Sequence, residues 1–141
     1  MLKNKKGLVF GIANNHSIAW GISKELAKNN AEIAIGYQNE ILLKRIKPLS
    51  DEIKSKILIE CDFSNKDSVK KTVSRIKKEW GKIDFVIHAV AYADKSELNG
   101  RYIDTSKDNF INCLDVSCYS LTNIAKEFAP IINEGGSILT L

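Results

Sequence analysis

The sequence is poor in cysteine and proline. Its three cysteines, Cys61, Cys113 and Cys118, are odd in number and show neither C-x-x-C spacing nor a neighbouring histidine cluster. This pattern argues against a disulfide framework and against a zinc site, and it predicts free thiols with no bound metal. Only two of the 141 residues are proline and 44% are hydrophobic, which favours a globular chain.

The sequence also lacks long apolar runs. None approaches the roughly 18 consecutive apolar residues of a membrane span, and the first run after the basic start is too brief for the core of a signal peptide. We therefore expect a soluble, cytoplasmic protein with no membrane partner. The net charge of +4 arises from lysines scattered between apolar helical positions, which favours solvated helix faces over a nucleic-acid footprint.

Five strand-like apolar runs alternate with segments of helical periodicity. Several runs show no polar alternation, as in strands buried on both faces of a parallel sheet. The expected fold is α/β: one Rossmann-type domain over residues 1–141, with a doubly wound parallel sheet in the order 3-2-1-4-5 and a ligand crevice between strands 1 and 4. The strands are predicted at Gly7–Phe10, Glu32–Tyr37, Lys56–Cys61, Phe85–Ala89 and Ser137–Leu141.

The spacing of apolar residues outlines the first two helices. Ser17 is expected to cap the first helix. The stripe of this helix predicted to face the sheet comprises Ile18, Ile22 and Leu26. A second helix is predicted to begin near Asn39, and Pro48 is predicted to break or restart it.

Two longer helices follow. The third is predicted to run from about Lys66 to a stop at Gly81, with the buried face Val69, Val73, Ile76 and Trp80. The longest is predicted from about Ser106 to Ile132, with one buried stripe of Phe110, Leu114, Leu121, Ala125 and Phe128. The irregular segment Ala91–Thr105 precedes it, at the end of the sheet where ligands bind.

The stretch G-I-A-N-N-H-S-I-A-W-G, residues 11–21, joins the first strand to the first helix. Gly11 allows a tight turn with close backbone approach, and Ser17 supplies a hydroxyl at the helix start. Small Ala19 and Gly21 are expected to let the helix lie close to the sheet. A pyrophosphate here would gain from exposed N–H groups and the helix dipole. Glycines near such turns often serve only as turn formers, so the stretch alone is a weak signal.

The end of the second strand bears on the choice of nucleotide. Dinucleotide sites normally place an acidic residue there to bind the adenosine ribose, but this sequence has Gln38. Its amide can hydrogen-bond a ribose hydroxyl, and no arginine lies beside it to take a 2′-phosphate, which favours NADH. An ordinary polar strand end explains Gln38 equally well.

The ends of the third and fourth strands offer further candidates. Asp62 either accepts a hydrogen bond from an adenine amino group, with Phe63 beside the ring, or caps the next helix. After the fourth strand, a run of small residues would let a nicotinamide ribose approach the backbone. His88, at the start of that run, is interpreted as a satisfied core histidine rather than a catalyst, and His16 as a solvent-facing turn residue.

The chain as a whole resembles a known family. Between Lys6 and Leu141 it contains, in this order, G-I-A-N-N-x-S-I-A-W-G, Y-Q-N-E, C-D-F, H-A-V-A-Y-A-D-K, L-N-G-R-Y, S-C-Y-S and G-G-S-I-L-T-L. In order and spacing these segments resemble the bacterial enoyl-[acyl-carrier-protein] reductases, a branch of the short-chain dehydrogenase/reductases. The stretched glycine turn, with serine six residues after the first glycine, is specific to that branch.

The resemblance implies a cofactor, a substrate and an assembly. It implies NADH bound by Gly11, Ser17, Ile18, Gln38, Asp62, Phe63 and Val90. It places Ala93 and the loop Ala91–Tyr102 against an enoyl substrate carried by acyl-carrier protein. In the family, hydride passes from NADH to the β-carbon of a 2-enoyl thioester during fatty acid elongation, and the product is saturated. The family also forms homo-oligomers, namely tetramers.

The resemblance also has a limit. The family's catalytic tyrosines and lysine follow the strand that ends in L-T-L, whereas Tyr92, Tyr102 and Tyr119 all precede that strand. Lys126 does stand seven residues after Tyr119, but this pair also lies before the strand. No catalytic residue is therefore assigned. The chain is expected to hold only the cofactor-binding half, truncated after strand 5 with the C-terminal catalytic half absent, and to be inactive alone. The alternative is a non-catalytic nucleotide-binding or oligomerisation module that pairs with an intact reductase.

Overall fold

The apolar runs form a five-stranded parallel sheet. The structure is a computed structural model that describes residues 2–65 and 67–141. Its strands lie in the order β3-β2-β1-β4-β5, and adjacent strands run parallel. The predicted order 3-2-1-4-5 is confirmed. The strands are β1 (Lys6–Phe10), β2 (Glu32–Tyr37), β3 (Ile57–Glu60), β4 (Ile83–His88) and β5 (Ile132–Thr140).

Helices cover both faces of the sheet. They are α1 (Ile18–Lys28), α2 (Glu40–Glu52), α3 (Ser68–Trp80), α4 (Lys107–Leu114) and α5 (Ser120–Phe128). One turn of π-helix, Asp115–Tyr119, joins α4 to α5 and is called the π-turn below. Short 3₁₀ turns occupy Lys95–Glu97, Tyr102–Asp104 and Ala129–Ile131. One core layer holds residues of α1 and α2, and the other holds residues of α3 and α5. Within residues 2–65 and 67–141, no helix is long and apolar enough to cross a membrane.

Two glycines make room for aromatic rings beside the central strand. A Cβ on Gly7 would lie 2.2 Å from the Phe85 ring, and a Cβ on Gly36 would lie 2.2 Å from the Phe10 ring. Both pairs are register neighbours, Gly7 with Phe85 between β1 and β4 and Phe10 with Gly36 between β1 and β2. Each ring therefore covers the backbone of a neighbouring strand, and β1 is packed tightly against both partners.

Asp84 ties together the amino ends of three strands. Its side chain is only 11% exposed, and its carboxylate accepts hydrogen bonds from Lys5 Nζ at 2.9 Å, Lys6 N at 2.9 Å and Asn133 Nδ2 at 3.1 Å. Partial burial acts to raise the pKa of Asp84, but the hydrogen bonds outweigh it and hold the pKa below its usual value. One ionised carboxylate thus joins β1, β4 and β5.

The predicted stripe of α1 is wrong at its first position. Ile18 is 70% exposed, whereas Ala19 and Trp20 are buried against the sheet. The other members of the stripe are half-buried. The face of α1 that carries Trp20 packs against the sheet, because burial of the Trp20 indole removes more apolar surface from water than burial of Ile18 would. A Cβ on Gly21 would meet nothing within 4 Å, so the expected need for a small residue at that position is also wrong.

The predicted break at Pro48 is likewise wrong. The helix α2 begins after Asn39, whose side chain accepts a hydrogen bond from Leu42 N at 3.1 Å, and it continues through Pro48. Proline removes one helical donor. However, Ile46 is fully buried before it and Leu49 packs on the core after it. Tertiary packing therefore holds the helix across the proline.

The third helix agrees with its predicted pattern. Lys66, where it was expected to start, lies outside the described residues, and α3 begins at Ser68. Gly81 ends the helix with a φ of +74°, as predicted. The predicted apolar face packs in one core cluster and comprises Val69, Val73, Ile76 and Trp80.

The long fourth helix does not carry one continuous stripe. Phe110 and Leu114 of the predicted stripe are 44% and 50% exposed. The π-turn at Asp115–Tyr119 widens the helix and rotates the faces that follow it. The residues buried in this turn and in α5 are Val116, Ser120, Ile124 and Phe128, and Ile131 is buried in the 3₁₀ turn that follows.

The last strand begins earlier than predicted. The expected start was Ser137. In the structure β5 starts at Ile132, Gly135 adopts a φ of +74°, and the register with β4 shifts between Ile83 and Phe85. The strand therefore contains a bulge at Gly135.

Candidate functional site

A crevice opens at the carboxyl end of the sheet, where the strand order reverses between β1 and β4. Such a switch point is where doubly wound sheets bind ligands. The crevice extends over the ends of β3, β2, β1 and β4. The predicted site residues that line it are Gly11, Gln38, Asp62, Phe63 and Val90.

Gly11 brings the exits of β1 and β4 into contact. Its φ is +100°, and a Cβ on it would lie 1.9 Å from the carbonyl oxygen of Ala89. The Ala89 N–H donates to the Phe10 carbonyl at 3.3 Å. Only glycine satisfies both the backbone angle and the close approach. A ligand that crosses this point therefore meets bare backbone.

Ser17 stands at the start of α1 without capping it, which corrects the predicted cap. Its Oγ accepts hydrogen bonds from Ala13 N at 3.0 Å and Asn14 N at 3.1 Å, so the hydroxyl shapes the preceding turn. In the described part of the chain, no acceptor is found for the Ser17 hydroxyl proton or for the N–H groups of Ile18 and Ala19. The helix start therefore presents three donors to an anion.

The exits of β2 and β3 form the other end of the crevice. Asp62 Oδ1 accepts hydrogen bonds from Ser64 N at 3.0 Å and Ser64 Oγ at 2.8 Å, and Asp62 does not cap α3. Of the two roles open from the sequence, helix capping is therefore excluded. The ring of Phe63 packs edge-on against Phe10, with centroids 5.1 Å apart. The Gln38 side chain, directly after β2 at this same end, is exposed.

Three predicted site residues, Ser17, Ile18 and Ala93, are not among the residues that line the crevice. The Ile18 side chain points into solvent, so Ile18 contributes only its backbone N–H to the donors at the start of α1. Ala93 is half-buried directly after Tyr92, which does line the crevice. The roles of Ile18 and Ala93 stay predictions.

His88 is buried below the crevice with both ring nitrogens hydrogen-bonded. Its Nε2 lies 2.7 Å from Ser120 Oγ, and its Nδ1 lies 2.9 Å from Thr140 Oγ1. Because the Ser120 hydroxyl donates to the Val116 carbonyl at 2.7 Å, it accepts from Nε2–H, and Nδ1 accepts from Thr140. Burial lowers the pKa of His88. The interpretation of His88 as a satisfied core histidine is confirmed, and His16 is exposed as predicted.

A protein-family model matches nearly the whole chain. The match covers residues 11–141, and the model describes Enoyl-(Acyl carrier protein) reductase. The chain belongs to the enoyl-(acyl carrier protein) reductase family. The resemblance drawn from the short sequence segments is thereby confirmed.

Members of the enoyl-(acyl carrier protein) reductase family match the chain along its length. Rhizobium meliloti (strain 1021) enoyl-[acyl-carrier-protein] reductase [NADH] 2 is 50% identical over 141 residues, which are 100% of this chain and 53% of the relative. A crystal structure of the Anaplasma phagocytophilum enzyme in complex with NAD is 45% identical, with a TM-score of 0.93 over 99% of this chain and 54% of that one. The Bacillus cereus enzyme with NADP+ and indole naphthyridinone is 35% identical, with a TM-score of 0.92 over 99% and 55%. The chain spans about half the length of these relatives.

Sequence reasoning missed part of the crevice wall of this enoyl reductase family member. Leu42 of α2 and Val116 of the π-turn line the crevice beside the predicted residues. Leu42 belongs to a run of three large apolar residues, so periodicity alone does not say which face it takes. Val116 faces the crevice because of the π-turn, whose only trace in the sequence is an interrupted apolar stripe.

We expect the stability of the chain to fall between about pH 7.5 and pH 5.5 because of His88. An unfolded histidine titrates near pH ~6.5, whereas burial lowers the pKa of His88 in the folded state. As the pH falls, the unfolded chain therefore takes up the proton first. The free energy of unfolding decreases as the pH falls below the pKa of histidine in the unfolded chain. Urea unfolding at a series of pH values measures this slope. The exposed-histidine variant His16→Gln should keep it, and a flat wild-type profile would contradict the prediction.

Proposed function

We propose that the crevice binds NADH and that the chain supplies the cofactor-binding part of an NADH-dependent reduction of 2-enoyl chains carried by acyl-carrier protein. The observation that carries the proposal is the bare-backbone contact of Gly11 with Ala89, directly before the donor-rich start of α1. Family membership supports the reaction class. The NADH in the name of the R. meliloti relative and the NAD in the A. phagocytophilum structure support the cofactor.

The start of α1 fits a pyrophosphate. The Ser17 hydroxyl and the N–H groups of Ile18 and Ala19 are free to donate, and the positive end of the helix dipole adds to their attraction for an anion. The first turn of α1 contains no acidic residue that would repel it. Glycine at position 11 leaves the approach to these donors open.

The exits of β2 and β3 fit adenosine. The second carboxylate oxygen of Asp62 can accept from the adenine amino group, Phe63 can pack beside the ring, and Gln38 can bind the ribose hydroxyls. The negative charge of Asp62 disfavours a 2′-phosphate, and no arginine adjoins Gln38 in the sequence. These features favour NADH over NADPH, although the B. cereus relative was solved with NADP+.

The nicotinamide half of the cofactor is assigned to the small residues after β4. When bound, NADH supplies the hydride that passes to the β-carbon of a 2-enoyl thioester. The backbone of Ala89–Ala91 is accessible to a nicotinamide ribose. We assign Ala93 and the loop Ala91–Tyr102 to the acyl chain, because Leu98 and Tyr102 leave apolar side chains exposed in this loop that a bound acyl chain would cover.

Replacing Asp62 by asparagine is expected to weaken NADH binding about tenfold, the effect of losing a hydrogen bond to a charged acceptor. Asparagine keeps the Oδ1 acceptor for Ser64 but removes the charge and the second carboxylate oxygen. Titration calorimetry should show the same loss for NADH and for AMP, because both carry the adenine ring. The matched control is Asp51→Asn, which removes an exposed charge paired with Lys47 on α2.

The outcomes of this titration separate two claims. Equal NADH affinity of Asp62→Asn and the wild-type chain would contradict the adenine role of Asp62. A wild-type chain that binds no NADH would overturn the proposed function itself. The expected inactivity of the chain alone stays a prediction, and measurable NADH oxidation with a crotonyl thioester would contradict it.

Assembly is the second part of the proposal. We propose a homo-oligomer, a tetramer by family resemblance, supported by apolar side chains exposed on α4, namely Phe110, Ile111 and Leu114. The same surface favours, as a second candidate, a non-catalytic module that pairs with an intact reductase. Sedimentation of the chain with and without an added intact family member separates self-association from pairing. The cytoplasmic location stays a prediction.

A further inference from the structure

The π-turn Asp115–Tyr119 and the first residue of α5 together place three side chains near the exit of β4. Val116 lines the crevice, Ser117 contacts the backbone of Tyr92, and Ser120, the next residue after the turn, contacts His88. In a regular α-helix these positions would point in other directions, because the extra residue of a π-turn rotates the side chains that follow it. The turn therefore gathers contacts to one short segment of the crevice wall.

Ser117 holds both backbone polar groups of Tyr92. Its Oγ accepts from Tyr92 N at 3.0 Å and donates to the Tyr92 carbonyl at 3.4 Å. In the part of the chain that the structure describes, the backbone of residues 90–93 makes its hydrogen bonds to Ser117 alone. Among the described residues, the backbone of the segment is otherwise hydrogen-bonded only next to its two ends, through Ala89 and through Asp94, whose N–H donates to Asn109 Oδ1 at 2.9 Å, while the Val90 side chain packs on the core.

The held segment lies at the nicotinamide end of the crevice. Gln38, Asp62 and Phe63 line the end formed by β2 and β3, whereas Val90 and Tyr92 line the end formed by β4. The turn that leads into α1 lines the crevice between the two ends with Gly11, Ile12 and Ala13. A dinucleotide with its pyrophosphate at α1 and its adenine at Asp62 therefore directs its second nucleotide toward Val90 and Tyr92.

We propose that Ser117 is a positioning residue that fixes the wall Val90–Tyr92 against the nicotinamide half of NADH, an inference that rests on the proposed function. The role differs from that of Ser120. Ser120 is buried between His88 and the Val116 carbonyl, where its loss leaves buried polar groups without partners. Ser117 acts at the rim of the crevice, on a segment whose backbone reaches water once it is released.

The test compares Ser117→Ala with Ser74→Ala in the full chain. Ser74 is exposed on α3, away from the crevice, so its variant controls for the loss of a helical hydroxyl. We expect Ser117→Ala to raise the NADH dissociation constant five- to tenfold and to leave AMP affinity within twofold of the wild type. The melting temperature should stay within about 2 °C. Ser74→Ala should match the wild type in all three measurements.

Amide hydrogen exchange supplies a readout that requires no ligand. The Tyr92 amide should exchange at least tenfold faster in Ser117→Ala, because its acceptor is gone. Unchanged exchange, or unchanged NADH affinity, would overturn the proposal, as would an equal loss of NADH and AMP affinity. A wild-type chain that binds AMP but not NADH would overturn both this proposal and the proposed function. If only the Ser117 proposal is wrong, the wild-type chain still binds NADH, and Ser117→Ala binds it equally well.

Discussion

Replacing Gly11 by alanine is expected to abolish measurable NADH binding and to lower the free energy of unfolding by about 2–4 kcal/mol. The methyl group would sit 1.9 Å from the Ala89 carbonyl oxygen, a backbone atom that cannot rotate away as a side chain can. The φ of +100° adds strain for any residue with a Cβ. The exits of β1 and β4 must therefore separate, and this separation displaces the hydrogen-bond donors at the start of α1.

The matched control for this substitution is Gly21→Ala. Gly21 is exposed within α1, and a Cβ on it meets nothing within 4 Å. Alanine should stabilise the helix by about 0.5–1 kcal/mol and leave NADH binding unchanged. Urea unfolding and titration calorimetry on both variants give the comparison. A Gly11→Ala chain with wild-type NADH affinity would falsify the assignment of the Gly11 turn and the start of α1 to the cofactor.

Replacing Asp84 by alanine should give the second large effect, a loss of about 2–4 kcal/mol in the free energy of unfolding at neutral pH. The substitution removes a largely buried carboxylate and leaves Lys6 N and Asn133 Nδ2 without their acceptor. It also frees the ammonium group of Lys5, which lies nearer to solvent. Three strands lose a common attachment at once. Equilibrium unfolding in urea measures the loss.

The pH dependence of this loss has a definite sign. Because the folded-state pKa of Asp84 is lowered, its stabilisation is complete above the unfolded-state pKa of about 3.9 and disappears as the pH falls through the folded-state pKa. The wild-type and Asp84→Ala chains should therefore converge in acid. Asp104→Ala, which breaks the exposed pair with Arg101, should change stability little at any pH. A constant difference between wild type and Asp84→Ala down to strong acid would contradict the role given to the carboxylate.

The sheet could be predicted because strands buried on both faces leave a recognisable apolar pattern in the sequence. Runs such as Leu8–Phe10 are apolar without alternation, a pattern typical of strands covered on both faces. Once the helices between the strands were assigned, the right-handed crossover rule left few possible strand orders. The candidate site was predicted from this order, since Gly11, Asp62 and Val90 each lie within two residues after a strand whose carboxyl end meets the crevice.

The errors share one physical origin, which is packing that periodicity does not encode. The face of α1 is chosen by the large indole of Trp20 rather than by Ile18, and α2 passes through Pro48 because buried neighbours compensate for the missing donor. The π-turn and the bulge at Gly135 each insert residues that break a regular period. The contact of Ser117 with the Tyr92 backbone could not be predicted, because a regular helix would have pointed its hydroxyl elsewhere.

The contact between Gly11 and Ala89 also sets a requirement on the order of folding. Lys6 and Asp84, at the starts of β1 and β4, are 78 residues apart, so β4 docks only after a long loop closes. The unit from β1 to β3 can pair without it, but the crevice cannot exist until β4 arrives. Under the proposed function, a cofactor that spans both walls would be captured only after β4 has docked. A bound cofactor would then slow the departure of β4 and lengthen the lifetime of the native chain.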